Sequence, residues 1–260
     1  MSGHTDHPAS TNAAAAQHGV EIAEHVAGQL AVQVSDAAEA MAEAVLPPAP
    51  FVARGLRLDW AAKRGLDITV AATALFLLLP LLLLIAGLVF AGDRKAPIFR
   101  HMRLGRDGRR FGCLKFRSMV TNGDAVLQAH LAASAQARAE WAATHKLSDD
   151  PRVTAIGQVL RKTSLDELPQ LWNVLRGEMS LVGPRPLPVR DYQRLETWHR
   201  GRYRVLPGIT GLWQVSGRSA LGFDDLVRLD FYYVENWSVW LDIEIIARTP
   251  LAVMRGRGAY

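Results

Sequence analysis

Hydrophobic residues are spread unevenly along the 260-residue chain. One tract, Ile68–Gly92 (ITVAATALFLLLPLLLLIAGLVFAG), runs for 25 residues without a charge. As a helix it would be about 37 Å long, enough to cross a hydrocarbon core about 30 Å thick. Pro80 sits at its centre, where a proline removes a backbone hydrogen bond and tends to kink the helix. Both flanks are basic: Arg54, Arg57, Lys63 and Arg64 before the tract, Arg94, Lys95, Arg100, Arg103 and Arg106 after it. Basic flanks prefer the cytoplasmic side, and a spanning helix satisfies only one of them. A helix that bends near Pro80 and returns satisfies both, each half being about 18 Å long and roughly one leaflet deep. On these features alone a kinked spanning helix and a re-entrant one both remain open.

Beyond the tract the pattern changes. Pro97–Met119 (PIFRHMRLGRDGRRFGCLKFRSM) reads as two extended runs around a GRDG turn at Gly105–Gly108, a β-hairpin. Lys115 and Arg117, two apart, fall on one face of its second strand. Residues 121–147 are alanine-rich with few breakers and predict one or two helices. From Asp149 to Pro188, helix-like stretches alternate with Gly and Pro turns. Ser164-Leu-Asp-Glu167 has the form of a capping box, which would make Glu167 a helix cap. Pro169 sits badly inside the helix such a box would start. It fits better as the first position of a helix beginning near Leu168 and ended by Gly177. Asp166 and Glu167 then lie in the turn ahead of a helix N-terminus, where the dipole favours carboxylates and phosphate alike. Arg185 follows within Gly-Pro-Arg-Pro (Gly183–Pro186), a rigid frame suited to a guanidinium that grips phosphate. The late aromatics Tyr232, Tyr233, Trp237 and Trp240 admit two readings, core packing or an interfacial belt.

The first 50 residues carry six of the 25 acids and none of the 30 lysines and arginines. The remainder is therefore strongly cationic, which suggests an anionic partner: nucleic acid, an anionic membrane face or a phosphorylated substrate. The hairpin bases form either a solvated basic edge or a surface for phosphate or lipid headgroups, and Arg248, Arg255 and Arg257 fit an anionic surface. Residues 1–19 read as disordered. Val26, Leu30, Val34, Ala38, Met41 and Val45 recur at helical spacing, and Pro47–Pro50 reads as a linker. No secretory signal is read at the start of the chain. His4, His7, His18 and His25 lack regular ligand spacing and are not read as a metal site. The single cysteine, Cys113, excludes an internal disulfide, fits a reducing compartment and is read as packing.

Several ordered motifs carry a resemblance: KFRSM (Lys115–Met119), DDPRVTAIG (Asp149–Gly157), RKTSLDELPQLWNVLRGEMSLVGPRP (Arg161–Pro186), PGITGLWQVSGRS (Pro207–Ser219), YYVENWSVWLDIEII (Tyr232–Ile246) and the terminal RGRGAY. From about Asp59 to Tyr260 the chain resembles the bacterial sugar transferases, the monotopic polyprenyl-phosphate phosphoglycosyl transferases. Within that family it looks most like the exopolysaccharide-initiating members that use UDP-galactose or UDP-glucose. His101 stands where the family often has Gln. Leu79-Pro80 stands where Ser-Pro is common, so only the proline half matches.

The resemblance implies an α+β, monotopic membrane protein in three parts. Residues 1–50, outside the resemblance, read from their own composition and spacing as a disordered or weakly helical extension and linker. Residues 51–95 form a re-entrant membrane helix broken at Pro80. Residues 96–260 form a small, mostly helical cytoplasmic domain carrying the hairpin. The implied location is the bacterial inner membrane, with the catalytic domain on the cytoplasmic face. The implied reaction moves a hexose 1-phosphate from a UDP-sugar to undecaprenyl phosphate and releases UMP. Asp166 would be the nucleophile, forming a phosphosugar–aspartyl intermediate, and Glu167 would hold Mg²⁺. Arg185, with Lys115 and Arg117, would bind phosphate. Nucleic acid is not an expected partner, and a homo-oligomer is left open. Two rival readings remain. One is a membrane-tethered binding or assembly protein that uses its basic surface, which leaves the Asp-Glu turn unexplained. The other is a glycosyltransferase that releases UDP, which differs in the nucleotide produced.

Overall fold

A computed structural model describes residues 56–189, 197–216 and 223–254. The expectations for residues 1–50 lie outside the described residues, as do Arg255 and Arg257. The apolar tract forms helix α1, Leu56–Asp93, 38 residues long. The helix continues through Pro80 to Asp93, although a proline has no N–H to donate to the preceding turn.

The exposure pattern of α1 is inside out. Lys63, Asp67, Ala71, Ile85 and Val89 are buried, while Phe76, Leu77, Leu79, Leu83, Leu84, Leu88 and Phe90 are exposed. The buried positions recur every four residues at both ends of the helix, so one face packs on protein and the other presents hydrocarbon. Near the N-terminal end, Lys63 Nζ lies 2.6 Å from Asp242 Oδ2 and 3.1 Å from the Val182 carbonyl. Arg64 donates to the Val174 and Leu175 carbonyls at 2.7 and 3.0 Å. Asp67 accepts from Ser180 Oγ and Leu181 N, both at 3.0 Å. At the other end, Asp93 takes a two-pronged ion pair from Arg117, whose Nη2 is 2.6 Å from Oδ1. Both ends of α1 therefore dock on the same folded domain.

The hairpin forms where two extended runs flank the GRDG turn. Strands β1 (Ile98–Leu104) and β2 (Arg110–Phe116) pair antiparallel from Ile98 opposite Phe116 to Leu104 opposite Arg110. The GRDG turn closes through Asp107 at φ 58° and Gly108 at φ 73°, a left-handed path that Asp and Gly tolerate best. The alanine-rich region gives two helices, α2 (Gly123–Ala133) and α3 (Ala135–Thr144), with Ser134 Oγ accepting from Ala137 N to start the second. Helix α4 (Ala155–Lys162) is capped by Thr154 and packs so closely that a Cβ on Gly157 would lie 2.0 Å from the Ser118 carbonyl oxygen. A short helix α5 (Gln170–Leu175) ends at Gly177, φ 77°. Strands β3 (Ser180–Val182) and β4 (Gly208–Thr210) pair in parallel, and α6 (Leu212–Ser216), α7 (Phe223–Glu235) and α8 (Val239–Met254) complete the described chain.

Two core clusters lie along α1, on either side of Pro80. One joins Ala71 to Phe111, Cys113, Leu171, Val174, Met179, Val182, Tyr233 and Ile245, with Ala74 and Leu75 packed against it. The other joins Ile85 and Val89 to Phe116 and Leu160, with Leu81, Leu82 and Ala86 against it. Cys113 is buried in the first cluster, and its thiol is raised by that burial. Of the late aromatics, Tyr233 and Trp237 belong to the core, Trp237 stacking on Trp60 at 4.8 Å. Tyr232 and Trp240 are exposed. Of the two readings the sequence pattern left open, core packing holds for Tyr233 and Trp237.

Candidate active site

The stretch Leu165-Asp-Glu-Leu168 shows how local sequence positions the two acids. Residues Leu165–Glu167 form a single 3₁₀ turn, entered through Ser164 at φ 57° and followed by Pro169 at the head of α5. Ser164 makes no side-chain capping bond, so the capping-box reading does not apply. Leu165 packs against the cluster of Ile85, Val89, Phe116 and Leu160. Leu168 packs against the cluster of Ala71, Leu171 and Val174. Both leucines are partly buried, so each contributes less than the roughly 1.5–3 kcal/mol of a fully buried leucine. The two leucines thus tie both ends of the turn to cores that α1 helps to build, and Asp166 and Glu167 are carried between them.

Two cations converge on these acids. Lys115, on β2, places Nζ 2.7 Å from Glu167 Oε1 and 3.6 Å from Asp166 Oδ2. Arg185 places Nη2 2.9 Å from the same Glu167 oxygen. Arg185 stands on a loop where backbones nearly touch: a Cβ on Gly183 would lie 2.4 Å from the Leu206 carbonyl oxygen. Arg161, on α4, donates Nε to Ser118 Oγ at 2.9 Å and adds positive charge near Asp166. Asp166 side-chain exposure is 11%, Glu167 16%, Lys115 19% and Arg185 33%, so the group is sheltered yet open to a ligand.

The adjacent carboxylates are driven apart electrostatically. Burial raises Asp166 above the ordinary 3.8, against the pull of Lys115 and with a push from Glu167. Burial also pushes Glu167 upward, but Arg185 and Lys115 outweigh it and hold that carboxyl far below the ordinary 4.5. One carboxyl is therefore held as an anion between two cations, and the other is the more basic of the pair. Such a split is how two neighbouring acids take different roles.

The structure brings together Asp166, Glu167, Lys115 and Arg185. It places Arg117 elsewhere, with its guanidinium spent on Asp93 and on the Ala96 and Lys95 carbonyls. Pro80 lies in α1 between the two clusters that carry the turn. His101 Nδ1 accepts from Arg103 Nη2 at 3.2 Å.

This arrangement of paired acids and cations, together with the chain's match to the model for bacterial sugar transferases over residues 58–256, decides the family. The chain belongs to the bacterial sugar transferase family. This sugar transferase is 50% identical over 198 residues to the UDP-galactose-lipid carrier transferase of Erwinia amylovora, covering 76% of this chain and 41% of that protein. It is 48% identical to the exopolysaccharide production protein ExoY of Sinorhizobium fredii, over 76% of this chain and 88% of that one. It is 47% identical to the undecaprenyl-phosphate galactose phosphotransferase of Salmonella typhimurium, again over 76% of this chain but 41% of the relative. The chain thus spans about two fifths of the first and third of these relatives and most of ExoY.

Sequence reasoning missed Asn173 in this sugar transferase. It is 1% exposed and acts as a one-residue strand beside β2. Its Oδ1 accepts from Leu114 N at 3.0 Å, and its Nδ2 donates to the Gly112 carbonyl at 2.9 Å. It thereby ties the strand bearing Lys115 to the helix that follows the acids. An asparagine inside the apolar run LWNVL was the only available signal, and nothing in the run names its partners.

Proposed function

We propose that this protein transfers a hexose 1-phosphate from UDP-galactose or UDP-glucose to undecaprenyl phosphate, releasing UMP, as the first membrane step of exopolysaccharide synthesis. The observation that carries this reading is the convergence of Lys115 and Arg185 on an Asp-Glu turn held on both sides by cores built with α1. A carboxylate oxygen of Asp166 attacks the sugar-bearing phosphorus. The bond from that phosphorus to the bridging oxygen breaks, and UMP leaves with the electron pair. The product is an acyl phosphate on Asp166. A phosphate oxygen of the polyprenyl phosphate then attacks the same phosphorus and expels the Asp166 carboxylate. Arg185 and Lys115 each carry several donors and spend few on Glu167, so they can also bind the transferred phosphate.

Magnesium fits the residues present. Among the described residues no group of three acidic, histidine or cysteine side chains is placed to cage a metal ion. Magnesium needs no such cage, since it takes one or two carboxylates with waters and substrate phosphates. Glu167, fully ionised beside Asp166, is the side chain that would hold it. When bound, the ion neutralises charge on the phosphoryl group being transferred.

We also infer that α1 is re-entrant and that the catalytic domain faces the cytoplasm. Docking of Lys63 on Asp242 at one end and of Asp93 on Arg117 at the other supports this topology, because a spanning helix would part its ends by a bilayer. Nucleotide sugars are supplied on the cytoplasmic side, which supports the orientation.

The test is a panel of UDP-sugars with undecaprenyl phosphate and Mg²⁺, scored for UMP and for label retained on the protein. The expected result is about one equivalent of UMP and a phosphosugar-labelled enzyme when lipid is withheld. Asp166→Asn is expected to abolish both. Release of UDP, or no labelled protein on rapid quench with intersecting steady-state lines, rules out the two-step route.

A further inference from the structure

The segment that presents Arg185 has an unusual backbone problem. Pro184 and Pro186 have no N–H, so the loop cannot brace itself by ordinary ladder pairing. Its carbonyls are instead held one by one from outside. The Pro184 carbonyl accepts from Gly208 N at 3.0 Å, and the Leu187 carbonyl from Leu104 N at 3.3 Å. The Pro186 carbonyl accepts from Arg103 Nη1 at 2.9 Å. The carbonyl of Arg185 itself accepts from Arg202 Nη2 at 2.8 Å.

Arg202 lies in the 3₁₀ segment Thr197–Arg204 and is 1% exposed. Its buried charge is matched by Asp230 of α7, 2% exposed, through the same Nη2 atom that holds the Arg185 carbonyl. Gly201 lets the segment lie against α7, since a Cβ there would fall 2.5 Å from the Phe231 ring. A buried ion pair is a poor way to gain stability, because desolvation offsets most of the attraction. An apolar pair of the same bulk would fill the space as well, but could not donate to a carbonyl.

We propose that Arg202 and Asp230 are positioning residues for Arg185: Asp230 orients the Arg202 guanidinium, which clamps the Arg185 carbonyl and so aims the Arg185 side chain at Glu167 and at the phosphate being transferred. The proposal rests on the reading of Arg185 as a phosphate ligand. Neither residue touches the acids among the contacts described, so their influence must pass through the loop backbone. Burial lifts the Asp230 carboxyl to about 6, opposed by Arg202, which leaves it ionised and paired at neutral pH.

The experiment compares the full-length protein with Arg202→Met/Asp230→Leu, which removes both buried charges together, and with Arg202→Lys, which keeps a charge on Asp230 but shortens the donor. The apolar double variant is expected to melt close to the parent and yet to lose turnover about tenfold or more. The same change made in an Arg185→Ala background is expected to cost less than about twofold further, because residues acting through one another are not additive. Parent-like turnover in a folded variant, or a full multiplicative loss without Arg185, overturns the proposal. If the double variant does not fold, Arg202→Lys carries the same comparison. A second readout does not depend on turnover: the side-chain Nε signal of Arg185 in ¹⁵N-arginine-labelled protein, assigned by its loss in Arg185→Lys. It is expected to be distinct in the parent and to move to the position of exposed arginines in the variants. An unchanged signal refutes the clamp, even if the protein transfers no sugar phosphate and the functional reading itself has failed.

Discussion

At the scale of single residues, the site is defined by two carboxylates one position apart that experience opposite fields. Asp166 is raised by burial and, in the proposed reaction, attacks phosphorus only when ionised, whereas Glu167 stays ionised far into acid. Activity should therefore fall with decreasing pH along one limb, centred above the ordinary 3.8 and belonging to Asp166. Lys115 lowers the Asp166 value, so Lys115→Met should move that limb to still higher pH besides slowing the reaction. The check is kcat/KM against pH for both proteins, and a limb that stays put or moves downward removes Asp166 as the titrating group. Asn173 makes a different prediction. Asn173→Ala leaves the Gly112 carbonyl and the Leu114 N–H without their partner, at a cost of about 1–3 kcal/mol for each group left buried. Thermal unfolding should show a clear drop, with weaker activity because the strand carrying Lys115 loosens. An unchanged melting temperature would mean that water replaces the side chain freely.

At the scale of elements, α1 is long and apolar enough to cross a membrane and is also one wall of the folded core. Its exposed face is almost entirely hydrocarbon, and its buried face carries Lys63 and Asp67 into the domain. Replacing Pro80 with Leu supplies the missing N–H and removes the ring clash, so a spanning state becomes more favourable. The docked ends oppose this, so a partial shift of topology and a loss of activity are expected. The measurement uses Ala62→Cys and Gln136→Cys, each in a Cys113→Ser background, with an impermeant thiol reagent on intact cells and on lysates. In the parent, both sites should resist labelling in intact cells and react after lysis. Labelling of Ala62→Cys from outside, with Gln136→Cys protected, would establish a spanning helix.

At the scale of the whole molecule, the family match begins at residue 58, and the acidic first 50 residues lie ahead of it. Among the described residues, the packed core and the site draw on positions after that point. Removing residues 1–50 should leave specific activity within about twofold, since the segment carries no lysine or arginine and lies ahead of the family match. A collapse of activity in truncated protein that still melts like the parent would assign that segment a role in the reaction. The molecule also unites two demands. In the proposed reaction its acids meet a water-soluble nucleotide sugar and a lipid phosphate, and the turn that carries them is fastened to clusters built with α1 through Leu165 and Leu168.

What the sequence determined by itself was local. Uninterrupted apolarity made α1, two extended runs around the Gly105–Gly108 turn made the hairpin, and Pro169 with Gly177 set the limits of α5 and left the acids in a turn. These features depend on neighbours a few residues apart, so spacing and turn chemistry suffice to read them. The partners were decided only by the tertiary structure. Lys115 and Arg117 are equivalent by alternation, yet Lys115 reaches Glu167, 52 residues on, while Arg117 turns to Asp93, 24 residues back. Asn173 and Arg202 carry no motif of their own, because the groups they satisfy are backbone atoms of distant segments. A buried donor must find an acceptor, but which one it finds depends on how the elements pack, and that geometry is written in no single stretch of the chain.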